Sequence, residues 1–397
     1  MNSIPMRFIA APCVAACALA ACAGAGGHAN GADVARYTLG DEPILVLGED
    51  GTPEKMFSRV QARRTEKGEV VVSDAVSLSV NVFGPDGTLV RNLARKGAGP
   101  GELEGIVTIQ LYGDTLLTFG SPPGAPPDVN EFAVGGGFVR RVRPSTPQDE
   151  PNGVAIAYMG KGSFLMQRGS GFTIIPTLPE PPGLVPDSAT FGILATGGAS
   201  VDTSFVWLPP IHRGDVFTFR WPGGPVPVTF SMLEIGHHVF PVTSGDMLWM
   251  AESGSGSLRG YDSTGELVVD TKLSREPQPY EERALAAARD AAVTRAPSAR
   301  DTLRVRAMFD KSVLPPTMPL FDAAIAGPDG ELWLRLFSLD PVVHHRFLAI
   351  DRNGNEIGDV LVPADLLVQQ FGDDFVLGIM RDELDVPSVV VYAMSRE

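Results

Sequence analysis

The chain has 397 residues, 44% of them hydrophobic, with 47 acidic against 32 basic side chains and a formal charge of −15. That balance repels phosphate backbones and anionic lipid surfaces on average, so nucleic acid is not an expected partner. The three cysteines, Cys13, Cys17 and Cys22, all lie near the N-terminus, which excludes an internal disulfide, a thiolate metal site and a cysteine nucleophile from the rest of the chain.

Residues 1–21 read as an export signal. Arg7 is the early charge, and Phe8 to Ala21 is an apolar run too short to span a bilayer. The run closes on Leu19-Ala20-Ala21-Cys22, which resembles the lipobox of bacterial lipoproteins. The resemblance implies a lipid on Cys22 and the membrane as a partner through it. Ala23, where aspartate would favour inner-membrane retention in that family, implies the outer membrane. Residues 22–33, with Gly24, Gly26, Gly27 and Gly31, form a flexible tether, and 34–397 form the folded part.

The folded part opens with a strand from Arg36 to Leu47. Val70-Val71-Val72 is a short buried run, and Val76, Leu78, Val80 and Val82 then alternate with polar residues at the period of a strand. Pro85-Asp86-Gly87 turns the chain, and Thr88 to Leu93 returns it. This pattern repeats, with turn glycines at Gly87, Gly137, Gly198, Gly265 and Gly354. The later copies run through 106–142, 154–208, 239–269 and 320–362. The third is interrupted by the proline-rich stretch Pro176 to Pro186, a surface excursion rather than strand. One helix, Tyr280 to Arg295, is set within an insertion at about 275–317, with Pro279 before it and Pro297 after. Phe375 to Ile379 and Val389 to Met394 lack a turn glycine of their own, as does the N-terminal strand.

A single hairpin cannot bury its apolar faces, so repeated hairpin units at this spacing predict a solenoid or a propeller. Pairing the strands of the two chain ends gives an all-β, six-bladed β-propeller of four-stranded antiparallel blades, closed by the N- and C-terminal strands.

Phe83-Gly84-Pro85-Asp86-Gly87 and Lys96-Gly97-Ala98-Gly99-Pro100-Gly101-Glu102 resemble the corresponding segments of bacterial six-bladed β-propeller lipoproteins, relatives of the NHL-repeat and TolB-like propellers. Asp329-Gly330-Glu331-Leu332-Trp333 and Phe375-Val376-Leu377-Gly378 fit the same family. The likeness spans nearly all of the folded part and is weakest between Asn152 and His237. Most members have no assigned activity, so the resemblance implies fold and export rather than a reaction.

Several motifs have simpler readings than they first suggest. Gly97 to Glu102 lacks the Lys-Ser/Thr of a phosphate loop, and Pro100 removes a donor, so it reads as a tight connection. His237-His238 and His344-His345 sit in strands, where neighbours point to opposite faces; His238 with His345 is the pairing that could meet in a channel. Asp351 to Glu356 has oxygen-rich spacing but lacks the late glutamate of a calcium loop, and reads as a turn. Trp207, Trp221, Trp249 and Trp333 read as packing between blades.

Two functions follow. The first is a lipid-anchored, non-catalytic binding or scaffold protein of the cell envelope, expected as a monomer, taking a protein, peptide or glycan and needing no cofactor. The alternative is a calcium-dependent hydrolase or lyase with its site in the channel; its candidate ligands are Asp74, Glu102, Asn152, Glu252 and Asp329.

Overall fold

A computed structural model describes residues 35–48, 52, 55–120, 128–147, 153–168, 184–196, 203–208, 211–220, 228–232, 235–296, 298–311, 315–339 and 342–397. The expected signal, the tether, Cys22, His28, Asn152, the Gly198 turn and Trp221 lie outside these residues.

The N-terminal strand β1 (Ala35–Leu47) leads into four strands in sequence: β2 (Val60–Arg64), β3 (Val70–Asp74), β4 (Ser79–Phe83) and β5 (Leu89–Ala94). These pair in order as an antiparallel sheet. A second such sheet contains β6 (Thr108–Tyr112), β7 (Thr115–Gly120), β8 (Asp128–Ala133) and β9 (Gly137–Val142). Next come β10 (Val154–Tyr158), β11 (Ser163–Arg168), β12 (Leu184–Thr196), β13 (Thr203–Trp207), β14 (Ile211–Arg220) and β15 (Val228–Met232), which share one six-stranded sheet. A further four-stranded sheet holds β16 (Val239–Ser244), β17 (Met247–Glu252), β18 (Ser257–Tyr261) and β19 (Leu267–Lys272). Helices α1 (Glu282–Arg295) and α2 (Ala299–Lys311) follow. The chain ends with β20 (Phe321–Ala326), β21 (Leu332–Leu336), β22 (His344–Ile350), β23 (Glu356–Pro363), β24 (Leu367–Phe371), β25 (Phe375–Arg381) and β26 (Pro387–Arg396).

The fold is an all-β propeller. Its sheets pack face to face around a channel, because central strands such as β3, β7 and β17 have two apolar faces to bury and only a neighbouring sheet can cover them. Val70, Val72 and Phe83 pack against Leu377, Val389 and Val391 on one side. On the other, Val71, Val80 and Val82 pack against Ile109, Leu116 and Phe132. Leu117 and Phe119 then meet Phe164 and Met166, Phe191 meets Leu248 and Met250, and Trp249 meets Leu332 and Leu334. Trp333, Phe371 and Val390 complete the cycle.

The expectation of six separate four-stranded blades is corrected. Hydrogen bonding divides the described strands into five sheets, of which three are four-stranded, one is six-stranded and one is eight-stranded in the order β20-β21-β22-β23-β1-β26-β25-β24. The length of β1 explains the eight-stranded sheet. Its residues from Tyr37 to Leu47 pair antiparallel with β26, while Ala35 and Arg36 extend past that partner and pair in parallel with Gly358 and Asp359 of β23. A similar overrun makes the six-stranded sheet: the later half of β12 pairs with β11 and β13, and its first half pairs with β14. Residues 184–186, expected to be outside any strand, are therefore strand, with Pro186 opposite Asp215.

The expected single helix is likewise two. The first, α1, ends at Arg295 with Ala296 as its cap, and Ser298 opens α2: its Oγ accepts from the Asp301 N–H at 3.1 Å and donates to Asp301 Oδ2 at 2.6 Å. Ser298-x-x-Asp301 is a capping signature visible in the sequence. Arg289 and Asp310 join the two helices at 2.9 Å.

The repeated turn glycine has a clear physical reason. Gly87 and Gly354 hold φ of 78° and 87° between the third and fourth strands of their units, a conformation that costs a residue with a Cβ about 1 kcal/mol or more. In the second of these turns Asp351 accepts from the N–H groups of Asn353 and Asn355 and from the Asn355 side chain, at 2.8–3.0 Å. Burial raises the Asp351 pKa, but these bonds from Asn355 and Asn353 outweigh it and leave it below the usual carboxylate value. A depressed folded-state pKa stabilises above the unfolded value, and that contribution disappears as pH falls through the folded one. Asp351→Asn is therefore expected to cost about 1 kcal/mol at pH 7. In thermal melts across a pH series, wild type and variant should converge in acid; a gap that persists there would refute this account.

Candidate functional site

The inner edges of the sheets meet around a cavity of about 1050 Å³, lined by β2, β6, β10, β16, β20 and β24 and the turns that follow them. Inner strands are edge strands, and their unpaired backbone groups need partners. Glutamines supply several. Gln370 of β24 accepts from the Arg64 N–H at 2.7 Å and donates to the Arg64 carbonyl at 3.1 Å. Gln61 of β2 accepts from Ile109 N–H at 3.0 Å and donates to the Val107 carbonyl at 2.8 Å. Gln110 of β6 accepts from Tyr158 N–H at 2.8 Å and donates to its carbonyl at 2.7 Å.

A glutamine amide carries the same donor and acceptor as a peptide group, so each one substitutes for a missing strand partner where adjacent inner strands splay apart. Gln110→Ala is expected to cost about 1–2 kcal/mol by stranding both Tyr158 groups. A urea titration would read it as a lower midpoint, and an unchanged midpoint would show that the bridge carries no stability.

The opposite wall is apolar, built from Ile156, Ala157, Pro241, Val242, Ala324 and Ile325, all half-buried. Pro241 fits because β16 is an edge strand. At the mouth, ion pairs tie neighbouring turns: Lys67 to Asp114 at 2.6 Å, Lys161 to Asp246 at 3.3 Å and Arg64 to Asp374 at 3.5 Å. Asp329 and Asp373 add negative charge there. Burial raises the nearby Glu331 pKa; a hydrogen bond with Trp333 opposes this, and Asp373 and Asp329 add to the rise.

Arg63 differs from the other cations of the channel. It is half-buried and lines the cavity, and its Nη1 donates to the Ala62 carbonyl at 2.7 Å. Among the described residues no carboxylate pairs with it. The protein surrounding the guanidinium lowers its pKa to about 10, so it remains charged at neutral pH.

The residues singled out from sequence do not converge. Asp74 ends β3, where it accepts from the N–H groups of Ser58, Arg59 and Val76 at 2.8–3.3 Å. Glu102 folds back over its own loop, accepting from Gly99 N–H at 3.0 Å and Arg95 Nε at 3.1 Å. Those two bonds, that of Gly99 first, lower its pKa. A Cβ on Gly97 would meet the Glu102 carboxylate, which would have to swing away. Glu252 ends β17, away from the cavity lining. Asn152 lies outside the described residues; of the other four, Asp329 alone lines the channel, at its mouth, with φ of 48°. Among the described residues no three His, Cys, Asp or Glu side chains form a group able to hold a metal ion.

His237 Nε2 lies 2.7 Å from the Thr317 carbonyl, and neither His238 nor His345 lines the cavity. Trp249 donates to the Gly330 carbonyl at 2.8 Å and Trp333 stacks on Phe371, so both pack between units. Sequence reasoning missed Arg63 and the three glutamines. A polar residue recurring inside an otherwise apolar inner strand was the available signal.

No family profile matches this chain, and no curated protein does either. Among solved structures it is similar to a protein of Bacteroides fragilis described as exported, at 11% identity and a TM-score of 0.45, covering 91% of this chain and 95% of that one. It is also similar to a virginiamycin B lyase of Staphylococcus aureus, at 11% identity and a TM-score of 0.38, covering 90% and 99%. An aldose sugar dehydrogenase of Streptomyces coelicolor, bound to PQQ, shows 10% identity and a TM-score of 0.39, covering 91% and 98%. At this level of similarity the comparisons assign neither ligand nor reaction.

Proposed function

We propose that this protein is a lipid-anchored propeller of the cell envelope that binds a ligand at its central channel without transforming it. The observation that carries the reading is the channel itself, a cavity of about 1050 Å³ whose glutamine bridges and mouth ion pairs fix its walls in advance. Fixed walls lower the ordering cost of binding. Native mass spectrometry of the whole chain recovered from envelope membranes tests it. The expected result is an added mass that is lost when Ala157→Trp fills the channel. A bare mass, with no melting shift in envelope extract, would overturn the reading.

The anchor rests on Cys22 and the apolar run before it. No helix among the described residues is long and apolar enough to cross a membrane. Cys22→Ser is expected to move the chain out of the lipidated membrane fraction, leaving an uncleaved or released form. A processed Cys22→Ser chain still held in the membrane would show that another element anchors it.

A further inference from the structure

We propose that the channel takes a small amphipathic anion, with a singly charged carboxylate-type headgroup on Arg63 and an apolar body against Ile156, Val242, Ala324 and Ile325; this rests on reading the channel as a ligand site. The first observation is the isolation of Arg63. Arg64 has Asp374, Arg91 has Glu69, Arg140 has Glu131, Arg143 has Asp128 and Arg335 has Asp322. Arg63 lines the same channel, and among the described residues its partner is a backbone carbonyl and no carboxylate. Enclosing a charge without a counter-charge is costly, and the fold retains that cost.

The second observation is chemical. A guanidinium offers five N–H donors in a planar fork, and the Ala62 carbonyl engages one nitrogen, so the fork has donors left for a two-point bond to a carboxylate. The third is the opposite wall. Ile156, Val242, Ala324 and Ile325 line the same cavity and offer contact to an apolar body while offering no hydrogen-bonding side chain. The mouth narrows the choice further. Asp329 and Asp373 repel incoming anions, which disfavours polyanions and fits one negative charge attached to an apolar group. Salt should screen this repulsion and speed association.

Calorimetric titration of the purified whole chain with decanoate, and with decanol as the neutral counterpart of equal length, tests the proposal. Decanoate is expected to bind saturably at one site and more tightly than decanol, although decanol is the more apolar of the two. Arg63→Gln should weaken decanoate at least about tenfold and leave decanol unchanged, with Arg63→Lys recovering part of the loss. If decanol binds as well as decanoate and Arg63→Gln alters neither, the channel is a ligand site but the anion assignment is wrong. If neither probe binds the wild type, the amphipathic-anion assignment is overturned, and the native mass spectrum decides the channel reading separately. Should Arg63→Gln fail to fold, the ratio of decanoate to decanol affinity in the wild type decides by itself.

Discussion

Removing β26, by ending the chain at Val386, is expected to abolish the fold. The strand lies between β25 and β1 and hydrogen-bonds to both. It buries Val389, Val390, Val391, Tyr392 and Met394, each at most 7% exposed. Each side chain of that size contributes about 1.5–3 kcal/mol on burial, so five together match the whole stability of a typical domain, about 5–15 kcal/mol. The deletion would also leave β1 and β25 as bare edges, which favours aggregation. Size-exclusion chromatography and a circular-dichroism melt check this. A truncated monomer with one cooperative transition near that of the full chain would contradict it.

Trp333→Ala is the point substitution with the largest expected effect. The ring is 1% exposed, stacks on Phe371 at 4.2 Å and 9°, and meets the edge of Tyr37 at 5.2 Å. It therefore joins β21, β24 and β1 within the eight-stranded sheet. Truncating so large a buried ring costs about 3–5 kcal/mol, because the cavity left among Tyr37, Phe347 and Phe371 cannot close fully. A urea titration should show a lower midpoint with an unchanged slope. A loss below about 1 kcal/mol would mean the joint depends on the backbone pairing instead.

The contrast between legible and hidden elements follows from what each strand faces. Val70-Val71-Val72 and Val389-Val390-Val391 are covered on both faces by neighbouring sheets, so they are visible as apolar runs. The turn glycines are visible because a positive φ excludes most other residues. In contrast, β2 and β24 escaped the sequence reading. They border a polar cavity, and Gln61, Arg63, Arg64, Gln369 and Gln370 erase the alternation a half-buried strand normally shows. The sheet count went astray for another reason: β1 and β12 each change partners midway, and no local pattern records that. Arg63 was hidden for the deepest reason. Its interest lies in having no carboxylate partner among the described residues, which is a property of distant residues.

The pairing of β1 with β26 also sets an order of events during synthesis. Tyr37 is opposite Arg396 and Leu47 is opposite Val389, so β1 must wait for β26, made about 340 residues later. Until β26 emerges, β1 remains a thirteen-residue strand without its main partner. Its middle is Gly40-Asp41-Glu42-Pro43, where two charges and a proline discourage pairing with any stray edge, and the ladder to β26 shifts register at the same place. Contacts so distant along the chain form slowly. The closing step of folding therefore waits until β26 has been made, and a chain that stays open this long is one that can still be threaded through a narrow pore.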